Sequence, residues 1–148
     1  MKDYRLVPMY NTTMFLHNWK YFADGMEEVM KYADVDTSID DVFNRILGGE
    51  YLFWACFVGE EYRGFVTTAI RDIPLQGKFL LIVHIYSKPI DNMVSLLNEE
   101  HFSVLYNHAK EQGCRQIKFF TRRNKAWEQK LKSMNFRPAY TEFARGVI

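Results

Sequence analysis

Phe15, Trp19, Phe22, Met26 and Met30 recur at spacings of four, three, four and four, with largely polar residues between them. That period predicts an amphipathic helix, capped among Asn11, Thr12 and Thr13 and broken near Gly25. A short first strand precedes it over residues 4–9, ended near Pro8. Thr37 and Ser38 each stand three residues before an aspartate, Asp40 and Asp41, which approximates a capping box. The helix that follows has Val42, Phe43, Ile46 and Leu47 on its inner stripe and is stopped by Gly48-Gly49. The pattern then becomes that of strands. Residues 51–58 and 65–70 flank a turn over residues 59–64, which predicts an antiparallel hairpin. Residues 78–86, FLLIVHIY after Lys78, are the most continuously apolar segment, as expected of a central strand covered on both faces.

Beyond this strand the helical period returns with Phe102, Leu105 and Ala109. Glu99 and Glu100 lie in the first turn, Lys110 in the last, and Gly113 follows as the residue that ends the helix. Ile117, Phe119 and Phe120 make another strand. Asn124 stands where an N-cap belongs, Trp127, Leu131 and Met134 form one stripe of a last helix, and Asn135 lies just past it. The tail, with Tyr140 and Phe143, adds one or two strands. The order β, α, α, β, β, β, α, β, α, β predicts an α/β fold: a mixed central sheet flanked by about four helices, in a single domain over residues 1–148.

Composition changes this picture little. With 48% of residues hydrophobic and 16% aromatic, one core can be filled without staples. Cys56 and Cys114 fall in apolar, strand-like segments and are expected to be free, buried thiols. No apolar run reaches the length of a membrane span, and the first ten residues lack a signal peptide's hydrophobic region, so a cytoplasmic protein with no membrane partner is expected. Charge is more informative. Residues 1–109 carry nine Lys/Arg against fifteen Asp/Glu, and residues 110–148 carry ten against three. The basic C-terminal third suits an anion: a cofactor phosphate, nucleic acid or an acidic partner.

The segment from Cys114 to Phe136 resembles the last strand–helix unit of the GNAT N-acetyltransferases, whose Asn-x-x-Ala…Tyr…Gly-Phe pattern is approximated by Asn124, Ala126 and Asn135-Phe136. The order of elements resembles that fold along the whole chain. The resemblance implies acetyl-CoA as cofactor, held where the central strand opens at Tyr86 and Ser87 and touched by Asn124. It implies His84, on the same strand, as catalytic base for a substrate amine. Two departures oppose catalysis. The family's proton-donating tyrosine is replaced by Leu131. The family's phosphate loop, Gln/Arg-x-x-Gly-x-Gly/Ala, falls on Met93, Leu96 and Asn98, and no glycine lies between Gly77 and Gly113.

The expectation is therefore a GNAT-like fold reused as a binding or assembly module, weakly active or inactive, similar to small phage-encoded members. It would work with a protein partner or as a homo-oligomer, in the cytoplasm or a virion. The alternative is a divergent acetyl-CoA-dependent N-acetyltransferase acting on a small-molecule or protein amine, with His84 or water accepting the amine proton. Arg122, Arg123 and Lys125 form a basic loop able to meet a phosphate or a nucleic-acid backbone. No metal is expected: His101 and His108 lie seven apart on one helix, too far to share an ion, and no Cys-x-x-Cys occurs.

Overall fold

A computed structural model describes residues 3–31, 38–88 and 99–119, with isolated positions at 129, 132, 133, 136, 137 and 145. Five strands form one sheet: β1 (Tyr4–Pro8), β2 (Leu52–Val58), β3 (Glu61–Ile73), β4 (Gly77–Ser87) and β5 (Gln116–Phe119). They lie side by side in chain order, antiparallel from β1 to β4, with β5 parallel to β4. The helices are α1 (Thr12–His17), α2 (Trp19–Met30), α3 (Ile39–Leu47) and α4 (Glu99–Glu111). This is the mixed α/β sheet that the alternation of periods predicts. A parallel neighbour needs a crossover, and α4 lies in the connection between β4 and β5.

The two faces of the sheet bury different side chains. On one face Leu6, Trp54, Cys56, Val66, Leu80, Ile82 and Ile85 pack with Leu105 and Ala109 of α4. On the other, Phe53, Ala55, Phe65 and Tyr86 pack with Phe15, Phe22, Met26, Val42 and Ile46 of α1–α3. Along β2 and β3 the sorting follows the two-residue alternation of a strand. Trp54 donates its indole N–H to Thr68 Oγ1 at 2.9 Å, so the polar atom of the core's largest side chain has a partner.

Local signals succeeded where they were complete. Asn11 caps α1 by accepting from the Met14 N–H, and Ser38 and Asp41 make a reciprocal capping box at α3. Three expectations need correction. The first long helix is not broken near Gly25; α2 runs through it, and the break comes at Asn18, whose N–H bonds back to the Phe15 carbonyl at 3.1 Å. Gly25 is present for packing: a Cβ there would come within 2.5 Å of ring carbons of Phe65 and Tyr86. The turn over residues 59–64 is shorter than expected, because β3 already begins at Glu61; an extra residue, Arg63, is absorbed as a bulge where Cys56 pairs with Gly64 and Phe57 with Tyr62. Cys114 lies before β5 and is only half-buried, whereas Cys56 is buried, and both thiols are free.

Candidate functional site

The chemistry-bearing end of β4 is shaped by one residue. Thr68 of β3 pairs with Ile82 and Thr67 with His84, so Val83 is an extra residue, a β-bulge. Its effect is a change of parity. Before the bulge, Leu80 and Ile82 face α4; after it, Ile85 does, and Tyr86 joins the α1–α3 face. β5 pairs with β4 from Phe79↔Gln116 to Ile82↔Phe119, and among the described residues no strand pairs with residues 83–86 on that side. The β4 backbone there has a row of N–H and C=O groups on its β5 side.

Three of the four site residues expected from the sequence fall on this end of β4. His84 is half-buried; its Nδ1 lies 2.7 Å from Thr67 Oγ1, and its ring meets that of Tyr51 edge-on at 5.9 Å. Burial lowers the imidazole pKa to about 4, so the ring is neutral near pH 7. Tyr86 is buried against Phe65, ring centroids 5.5 Å apart, and against the α2 backbone at Gly25. Burial raises the Tyr86 phenol pKa, helped by the negative charges of Asp24 and Glu28 on α2. Ser87 is buried at the end of β4 and pairs with Gly64. The next residue, Lys88, donates its N–H to the Arg63 carbonyl at 2.9 Å and places its ammonium over the Tyr62 ring. Asn124 and the basic loop lie outside the described residues, as do Met93, Leu96, Asn98 and Leu131.

Two contributors escape a reading of the sequence. Thr67 is fully buried, and its partner is His84. The signal was Thr67-Thr68 within an apolar strand, since two buried hydroxyls must find partners. Tyr51 stacks beneath two cations: the guanidiniums of Arg45 and Arg71 lie 5.8 and 6.0 Å from its ring, and both pair with Glu50. Tyr51 also lines a cavity of about 400 Å³, bounded by Phe15, Ile46, Leu52, Thr68, Arg71 and His108. That cavity includes none of His84, Tyr86 or Ser87, and the Tyr51 ring that lines it meets His84, so the strand end is the better candidate site. Among the described residues, no three of His, Cys, Asp or Glu cluster to hold a metal ion, and no helix is long and apolar enough to cross a membrane.

No family model and no curated protein matches the sequence. Solved structures do match along nearly the whole chain. An aminoglycoside N-acetyltransferase in complex with CoA superposes with a TM-score of 0.70 at 15% identity, over 99% of this chain and 96% of that one. An aminoglycoside acetyltransferase from an uncultured soil metagenomic sample, in complex with sisomicin, gives 0.70 at 7% identity over 98% and 97%. A ribosomal-protein-alanine N-acetyltransferase from Brucella melitensis gives 0.64 at 16% identity over 97% and 98%. The chain has the GNAT fold. At these identities the likeness concerns the fold.

Proposed function

We propose that the chain is an acyl-CoA-dependent N-acyltransferase acting on a primary amine. The observation that supports this reading is the bulge at Val83, which interrupts the regular β3–β4 ladder near the end of β4. A strand end of this kind accepts an extended, amide-bearing ligand as an added strand, and the pantetheine arm of CoA is of that kind. When bound, an acyl-CoA supplies the activated thioester. The chain's own residues do the rest. Residues 83–87 hold the arm by backbone hydrogen bonds, and Asn124 is the further residue expected to touch the cofactor. Tyr86, wedged against Phe65 and α2, keeps the strand end rigid. Asp24 and Glu28 place negative charge near Tyr86, which favours an ammonium-bearing substrate. With its pKa at about 4, His84 is too weak a base to take the amine proton, and water takes it.

A second reading is favoured by the absence of glycine from residues 78–112 and by Leu131 in place of the proton-donating tyrosine. On that reading the fold is a binding or assembly module, of the kind phages encode, engaging a protein partner or a second copy. Calorimetric titration with acetyl-CoA separates the two. The enzyme reading expects micromolar binding and, at one hundred times Kd, about 2.7 kcal/mol of added stability by mass action. No heat and no shift in melting temperature, together with a defined oligomer by light scattering, would establish the module instead.

A further inference from the structure

Thr67 is 0% exposed, and among the described residues its hydroxyl has one side-chain partner, His84 Nδ1 at 2.7 Å. A hydroxyl has one proton to donate, and a buried donor without an acceptor loses its hydration with no return. The Nδ1 lone pair is the acceptor within reach. If Nδ1 carried a proton and donated it to Oγ1, the Thr67 proton would have no acceptor among the described residues. Neighbouring Thr68 differs: it receives the Trp54 indole N–H and borders the cavity, where water can take its proton.

We propose that Thr67 is a positioning residue that holds His84 as the Nε2–H tautomer, so that His84 offers a hydrogen-bond donor, not a base, to a carbonyl or oxyanion oxygen at the β4 strand end. The groups around the ring agree with a neutral imidazole. Thr67 lies against it from β3 and Tyr51 from the segment before β2, and the charges behind Tyr51 are the Arg45 and Arg71 guanidiniums with Glu50. A neutral imidazole with its Nδ1 occupied can still polarise an oxygen through Nε2–H. No bond is made or broken by His84 in this role. The catalytic consequence rests on the acyltransferase reading, whereas the tautomer does not.

Long-range proton–nitrogen correlation spectra of the uniformly nitrogen-15-labelled chain at pH 7 test it, with His84 assigned by comparison with His84→Gln. The expected spectrum shows Nε2 protonated and Nδ1 unprotonated. Thr67→Val, which keeps the shape and deletes the hydroxyl, should lower the ratio of the two tautomers several-fold, and Thr67→Ser should restore it. A wild-type Nδ1–H tautomer overturns the proposal, as does an unchanged ratio in Thr67→Val. If Thr67→Val does not fold, the wild-type and Thr67→Ser spectra decide. With acetyl-CoA and an amine acceptor, Thr67→Val should lower kcat on the order of tenfold at an unchanged KM, with rescue by Thr67→Ser. The Nε2–H tautomer in a chain that ignores acetyl-CoA would sink the acyltransferase reading and leave this proposal standing; the Nδ1–H tautomer in an active enzyme would do the reverse.

Discussion

On one side of Val83, β4 pairs with β3 in one register and with β5; on the other, it pairs with β3 in a register shifted by one residue. The first half buries Leu80 and Ile82 under α4 and does nothing chemical. The second half presents His84, Tyr86 and Ser87. The two halves are continuous in sequence, and what separates them is one inserted residue that turns every following side chain to the opposite face. In this fold one strand serves both faces of the sheet through a fault in register.

That contrast can be broken outright by inserting one alanine between Val83 and His84. Ile85 would then turn towards α1–α3, and His84 and Tyr86 towards α4. The expected loss is about 4 kcal/mol or more, read by urea unfolding. Retained stability would show that the bulge does not set the faces. Leu80→Ala, in the first half, should cost about 2–5 kcal/mol through lost burial and the cavity left behind. The second half should announce itself through pH. The His84 pKa falls from 6.5 to about 4 on folding, so between those values the unfolded chain binds the proton and the folded chain does not. The stabilisation is complete above pH 6.5 and drains away as pH falls towards 4, by about 2–3 kcal/mol. His84→Gln should flatten that part of the stability curve, and an unaltered slope would place the imidazole in water. The smallest effect is expected at Gly25→Ala. The new methyl meets the Phe65 and Tyr86 rings, and after the gain in helix propensity the net cost is about 1–2 kcal/mol. Stability equal to wild type would mean that Tyr86 is not held against α2.

Much of the fold was legible because its signals are local. The Ser38–Asp41 box, the stripes of α2 and α3, and the runs that became β2 and β4 each carry their cause within a few residues. Errors came where tertiary packing overrode a local rule. Gly25 reads as a helix breaker by propensity and is instead a recess for two rings; the stretch around Arg63 reads as a turn and is a bulged strand. The site was half legible. His84, Tyr86 and Ser87 could be placed on the right strand, but a continuous apolar run has no parity to read, so the face they occupy could not be known. Thr67 became meaningful only once pairing brought it to His84. Asn124 and the expected phosphate loop lie outside the described residues, and those readings stand as expectations.

The strand order has a kinetic consequence. β3 and β4 each join the strand just before them through a tight connection, and such short-range closures form early. β5 must wait for α4 to fold across and for a parallel register to be found. During synthesis, the three-strand meander can therefore assemble while the last third is still being made. The seam beside Ile82, next to which the candidate site lies, is then the last to close and the first to open.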